Sequence, residues 1–200
     1  MIARRLSFVA STSMLALAAM SGGPAHAQVV NIDATVSGCD FAHCGSGISV
    51  PVGAPVGIPI SPVTLTLQAG TYTVTNADGM AGANPNFTAW RFNGGANWVW
   101  EFMIVNDADD TVLMQGCCGP SFSTQAAAGS QAFAQNFSQT FTLAGTTTLD
   151  FIIQDYGLND NAGGVSLNIA RAVAAVPEPS SYALMLGGLL AVGSIVRRRK

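Results

Sequence analysis

Residues 155–164, DYGLNDNAGG, form the stretch best equipped for chemistry, and the strand-like run VSLNI comes directly after it. The stretch carries two carboxylates, Asp155 and Asp160, two amides, Asn159 and Asn161, and exposed backbone carbonyls. A hard cation such as Ca²⁺ gathers about six to eight oxygens from donors of this type. Glycine allows the backbone to bend around an ion without a Cβ in the way. The spacing is not that of an EF-hand, which needs alternating acids and a closing Glu. The competing role is mechanical: Asp155 and Asn161 would cap a turn through Asx hydrogen bonds and hold no ion.

Two further groups of residues raise the same question. Asn106-Asp107-Ala108-Asp109-Asp110 is acidic but reads as a solvated hairpin turn. Trp90, Trp98 and Trp100 offer flat aromatic faces that suit pyranose rings. Trp98 and Trp100 fall on one face of a strand and read as core. Trp90, beside Arg91 in a loop-like region, is the ligand-binding candidate. Catalysis is not expected. Once the N-terminal segment is removed, His43 is the sole histidine, and no Gly-x-Ser-x-Gly elbow is present. Glu101, the sole glutamate of the central portion, sits mid-strand; pairing it with an Asp for glycan hydrolysis is the enzymatic alternative.

The chain has four cysteines, Cys39, Cys44, Cys117 and Cys118. An even number in an oxidising compartment points to disulfides, and three pairings are open. Zinc ligation by Cys39, His43, Cys44 and the Cys117-Cys118 pair is the alternative, although the spacing is not a standard zinc pattern.

Both ends have the character of targeting segments. Arg4 and Arg5 precede an apolar stretch over 6–20, and Ala25-His26-Ala27 has the A-x-A cleavage form. Residues 1–27 therefore read as a signal peptide for the general export machinery, with Gln28 as the mature start and an uncleaved anchor as the alternative. At the other end, Val176-Pro177-Glu178-Pro179 is stiff and non-helical. Residues 182–196 then carry no charge, and Arg197, Arg198, Arg199 and Lys200 close the chain. As a helix, 182–196 covers about 22 Å, short for a hydrocarbon core of about 30 Å, and snorkelling arginines extend it. The basic residues keep the C-terminus cytoplasmic and put the rest of the chain outside. The expected domains are thus 1–27, an ectodomain over 28–175, and 176–200 with a transmembrane helix at 182–196 and a basic tail at 197–200.

Charge obeys this division. The net charge of −3 hides an asymmetry: between the two ends, Arg91 and Arg171 face ten acids. Nucleic acid is excluded as a partner, since binding it requires Lys and Arg in place of counterions.

The central portion is rich in Thr, Val, Gly, Asn and Ala, with short alternating stretches. Strands are expected at 29–36, 63–68, 71–76, 98–105, 111–115, 137–143, 147–154 and 165–172. Ala69-Gly70 marks a hairpin joining the second and third of these. The last three should form a meander-like block. Residues 45–62, with prolines at 51, 55, 59 and 62, read as an extended surface connector, and 77–97 as loop. Residues 124–135 predict a short helix with Ala126, Gly129 and Phe133 inward. The expected fold is all-β, an antiparallel β-sandwich of jelly-roll type.

Pro177-Glu178-Pro179, the apolar run and the arginine-rich end together resemble a PEP-CTERM sorting signal. That resemblance implies an exopolysaccharide-producing Gram-negative cell. It also implies an exosortase, a membrane-embedded cysteine transpeptidase-like enzyme acting at Pro177-Glu178-Pro179. The protein would be anchored in the inner membrane during sorting, then reach the cell surface or extracellular matrix. Separately, Leu149–Ile169 is similar to the calcium-site segment of small bacterial galactose-binding lectins with a jelly-roll sandwich, and to β-sandwich carbohydrate-binding modules. This resemblance implies Asp155, Asp160 and Asn161 as calcium ligands, with Tyr156 giving a backbone carbonyl. In those lectins sugar hydroxyls coordinate the calcium directly. The loop here is shorter and lacks a counterpart of the lectin's Thr ligand. The expected function is a non-catalytic surface or matrix protein with a calcium-dependent carbohydrate-binding domain associated with exopolysaccharide in a biofilm. The alternatives are a structural or adhesive protein without a specific ligand, and a glycan hydrolase.

Overall fold

A computed structural model describes residues 27–40, 44–45, 47–116, 119–134, 136–172, 185–186 and 188–189, with Phe133 and Ala134 described in backbone only. The strands are β1 (Ala27–Asp33), β2 (Gly38–Cys39), β3 (Pro59–Ile60), β4 (Val63–Leu67), β5 (Gly70–Asn76), β6 (Trp90–Phe92) and β7 (Asn97–Val99). They continue with β8 (Phe102–Asn106), β9 (Thr111–Gly116), β10 (Ser138–Leu143), β11 (Thr147–Ile152) and β12 (Ala162–Arg171). A single helix, α1 (Gln125–Ala134), and a 3-10 turn at Leu158–Asp160 complete the described elements. The fold is therefore mostly β, and every strand pair is antiparallel.

The larger sheet runs β10-β5-β12-β6-β7, with β1 also paired to β12. The second runs β4-β11-β8-β9, and β2 pairs with β3 in a small ribbon. Alternation explains the inner faces. In β5, Tyr72 and Val74 are buried while Thr71, Thr73 and Thr75 face outward, as a period of two requires. One apolar cluster draws on both larger sheets: Ile32, Val74, Val165 and Leu167 from the first, and Phe102, Ile104, Leu149 and Phe151 from the second.

Strand β8 is apolar on both sides, and both are covered. Phe102 and Ile104 enter the shared core, whereas Met103 and Val105 join a second cluster with Cys39, Cys44, Val50, Val56, Val112 and Ile152. A bulge opposite Ile104/Val105 shifts the register of β9, so Val112 joins the outer cluster and Met114 the inner one. The proline-rich connector thus forms a cover, burying Val50 and Val56 on the outer side of the second sheet.

Several local expectations are corrected. Strands β4 and β5 do not form a hairpin: β4 pairs with β11, and β5 with β10 and β12. Ala69-Gly70 instead carries the chain from one sheet to the other, which lets Leu67 and Tyr72 enter the same core from different sheets. The run expected as one strand at 98–105 is two, β7 and β8, in different sheets, with Trp100 and Glu101 at the crossing. The last three strands are not a meander, because β11 lies in the second sheet and β10 and β12 in the first. The 77–97 segment contains β6, whose Trp90 is core. Helix α1 keeps its expected place, and Thr124 Oγ accepts from the Ala127 N–H at 3.2 Å, a capping bond. Its buried side, however, is Ala128, Gly129 and Ala132; Ala126 is exposed, and the Phe133 side chain lies outside the described residues.

Candidate functional site

The Asp/Asn loop leaves the end of β11 and returns as β12, so both ends are held by the cores of the two sheets. Asp155 is buried. Its Oδ1 accepts from the backbone N–H of Tyr156 at 2.9 Å and of Gly157 at 3.4 Å. This is an Asx arrangement in which the carboxylate closes its own turn. The Asp155 carbonyl accepts from Cys39 N at 3.0 Å, joining the loop to β2. Residues Leu158–Asp160 then make one 3-10 turn, in which Asn161 N donates to Leu158 O at 3.3 Å. Asp160 is exposed, and its carbonyl accepts from Gly94 N at 3.1 Å. Asn161 is buried; its Nδ2 donates to Ala34 O at 3.1 Å and its Oδ1 has no partner among the described residues.

The fold therefore holds Asp155, Tyr156, Asp160 and Asn161 on one short loop but engages them differently. Tyr156 is half exposed. The oxygens of this loop that could serve a hard cation are the second oxygen of Asp155, the Asp160 carboxylate and the Asn161 side-chain oxygen, donors of the type Ca²⁺ takes. Among the described residues no three His, Cys, Asp or Glu side chains converge, so any such site leans on amide, carbonyl and water oxygens. Glycines 163 and 164 answer to the sheet. Gly163 has φ +83°, and a Cβ there would lie 2.4 Å from the Ala89 carbonyl. A Cβ on Gly164 would come 2.3 Å from the Ile32 carbonyl.

Trp90 is not in a loop and offers no face to a sugar. It is fully buried, and its indole N–H donates to the Glu101 carbonyl at 2.9 Å. Trp98, at intermediate exposure, instead has the Arg91 guanidinium 5.8 Å from its ring centroid. Glu101 is buried as well, and its Oε2 accepts from Gly47 N at 3.0 Å, which ties the connector down.

The acidic segment 106–110 is the β8–β9 turn. Asn106 Oδ1 accepts from Ala108 N, and Asp109 Oδ1 from both Thr111 Oγ and Thr111 N. The Thr111 hydroxyl, then its N–H, holds the Asp109 carboxyl below the usual range. Asp150, on neighbouring β11, is pushed the other way: burial raises it, against the bond from Thr64 Oγ, with Asp107 and Asp110 adding to the rise.

Cys39 and Cys44 form a disulfide, with Cα atoms 6.0 Å apart, inside the outer apolar cluster. That pairing removes both thiolates from a zinc site. Cys117, Cys118 and His43 lie outside the described residues, as do residues 1–26 of the expected signal peptide and Pro177, Glu178 and Pro179. Of the expected membrane segment 182–196, only Met185-Leu186 and Gly188-Leu189 are described, both helical. No helix among the described residues is long and apolar enough to cross a membrane.

Sequence reasoning missed two amides that hold the cover, Gln154, which is buried, and Gln115, which is partly so. Gln154 Nε2 donates to Gly45 O at 3.0 Å and also to Ile48 O. Gln115 Nε2 donates to Ile48 O and Gln154 Oε1, and its Oε1 accepts from Val50 N. The available signal was polarity: each glutamine directly follows apolar residues, Val112-Leu113-Met114 and Phe151-Ile152-Ile153.

The last strand is anchored at Arg171 and Ala172. Arg171 donates to Ala69 O, and Ala172 N to Thr71 O at 2.8 Å. The C-terminal segment is a separate unit of sequence. Residues 175–200 match the PEP-CTERM protein-sorting motif. The motif makes this an exported, membrane-passing protein that is sorted to the cell surface and processed by an exosortase. No curated protein and no solved structure matches the chain.

Proposed function

We propose that the chain is a non-catalytic surface or matrix protein whose ectodomain is a β-sandwich associated with exopolysaccharide, with the 155–161 loop as a calcium site. The observation that carries the reading is the sorting motif at 175–200, directly behind the last strand. Support for the sandwich comes from the one apolar cluster that draws on both larger sheets. Support for the ion comes from the orphaned Asn161 oxygen beside two carboxylate residues on one loop. Held there, Ca²⁺ would neutralise Asp155 and Asp160 and offer open positions to sugar hydroxyls. The loop's own residues orient the donors: the turn bonds fix Asp155, and Ala34 fixes the Asn161 amide.

A structural or adhesive protein without a specific ligand is the second reading. It is favoured by the Asx bonds of Asp155, which already engage one carboxylate oxygen. Intact mass of the native protein tests the sorting half, with a start at Gln28 and loss of the residues beyond the Pro177-Glu178-Pro179 region expected. A cytosolic species with both ends intact would overturn it. A glycan array read with and without chelator, for the native chain and Asp155→Ala, tests the other half: a component of binding lost both in chelator and in Asp155→Ala is expected, and the absence of any such component would remove calcium from the proposal.

A further inference from the structure

Beside α1 the two larger sheets leave a cleft of about 390 Å³ that the Asp/Asn loop does not line. Small-molecule sites occupy roughly 300–1,000 Å³ and combine apolar walls with a few fixed polar groups. The walls here are aromatic: Trp100, Phe122 and Phe137. The polar groups are all neutral: Ser49, Gln115, Gln131 and Gln139. Among the described residues no lining residue is ionisable, although the central portion of the chain holds ten acids.

The cleft is built rather than incidental. Trp100 packs edge-on against Phe102 at 5.2 Å and Phe137 at 4.9 Å between ring centroids, and Phe102 meets Phe137 at 5.5 Å. Phe122 is pinned to Trp98 by reciprocal backbone bonds of 2.8 Å. Gln115 is locked by its bonds to Val50, Ile48 and Gln154. Gly116 keeps the floor open to the Phe102 ring, which lies 2.3 Å from where a Cβ would sit. Against this rigid frame, one group is left over: the Trp100 indole N–H is buried with no partner among the described residues, and the carboxamides of Gln131 and Gln139 line the same cleft. An unpaired buried donor costs about 1–3 kcal/mol, a penalty that an incoming acceptor would relieve.

We propose that this cleft is a second, calcium-independent ligand site that takes a neutral saccharide unit. Hydroxyl groups act as donor and acceptor at once, which matches an indole N–H beside carboxamides. The apolar faces of a pyranose match the aromatic walls. A carboxylated sugar would find no cation here to offset its desolvation. The inference rests on the reading of a glycan-facing exterior, but it places recognition on different residues.

The test is a titration of the ¹⁵N-labelled full chain with the methyl glycosides of glucose, galactose, mannose and N-acetylglucosamine, and with glucuronate as the anionic control. Spectra track the three tryptophan indole N–H signals, with and without EDTA. At least one neutral glycoside should move the Trp100 signal, leave the Trp90 signal in place, and act equally in EDTA and in Asp155→Ala. Trp100→Phe and Gln139→Ala should each weaken binding about tenfold, the latter at an exposed position that does not threaten folding. A Trp100 signal that no neutral glycoside moves would overturn the proposal. So would equal binding of glucuronate, or undiminished affinity in both variants. Binding that disappears in EDTA and in Asp155→Ala would transfer recognition to the calcium loop and refute the cleft alone.

Discussion

Asp155 is where the two readings of the Asp/Asn loop separate, and a pair of substitutions separates them. Its Oδ1 closes a turn by accepting two backbone N–H groups, and the residue is 8% exposed. Asp155→Ala removes those bonds. The loss should be about 1–2 kcal/mol without any ion, since net hydrogen-bond contributions are about 1 kcal/mol and larger for charged acceptors. In a domain of this size that is a fall of roughly 2–8 °C in Tm. Asp155→Asn retains an Oδ1 in the same place and so keeps the turn, but it gives up the negative charge a calcium ion needs. Calcium at about 100 times its Kd should stabilise the native chain by about 2.7 kcal/mol, or roughly 5–11 °C. The assay is thermal unfolding of the three proteins in EDTA and in calcium. In EDTA, Asp155→Asn should melt with the native chain and Asp155→Ala below it. In calcium, the native chain alone should gain. If Asp155→Asn gains as much as the native chain, or if calcium moves none of them, the loop is a turn and the ion is gone from the account.

Three other outcomes concern residues away from the loop. Trp90→Phe removes the donor to the Glu101 carbonyl and part of a fully buried ring, so urea unfolding should show a loss of about 2–3 kcal/mol with no change in saccharide affinity. Reducing Cys39–Cys44, or replacing both with Ser, opens a loop with a sequence separation of 5 and should lower stability by about 2 kcal/mol in the same assay. Burial raises the Asp150 carboxyl, so the fold favours its protonated form: that contribution is complete below the ordinary Asp range and is lost as pH rises through the raised value. Asp150→Asn, which still accepts from Thr64, should therefore become progressively more stable than the native chain from acid to neutral pH, and a pH-independent difference would refute the assignment.

Local chemistry was legible in the sequence where one residue's neighbours decided its state. The alternation of β5, the turn at 106–110 and the position of α1 all depend on near neighbours, and all appear where expected. What could not be read was which layer each strand joins. Leu67 and Tyr72 have the spacing of a hairpin, and nothing in Ala69-Gly70 says that the two faces meet across a core rather than side by side. The run Trp98–Val105 looked continuous because its polar break is a single residue, Glu101. That carboxylate bonds to Gly47, which lies far off in sequence. Trp90 was misplaced for the same reason. Its strand is three residues long and flanked by turn-forming residues, and its burial depends on the remote Glu101 carbonyl. Long-range pairing outweighed local propensity at each of these positions.

The pairing of the first and last strands bears most directly on sorting. Ala27 lies opposite Ala170 in the antiparallel register of β1 and β12, so the first strand starts and the last strand finishes at the same end of the larger sheet. A chain held in a membrane at both ends during export would need both exits to point the same way, and this register provides that without a long return loop. The register also makes processing safe. Gln28 pairs with Ile169, so cleavage after Ala27 would leave β1 paired from its second residue onward. At the other end, Arg171 and Ala172 are tied to Ala69 and Thr71 before the motif begins at 175. Removal of residues beyond the Pro177-Glu178-Pro179 region would break no described strand pair. The strand pairing of the domain and the processing of its sorting motif are therefore separable.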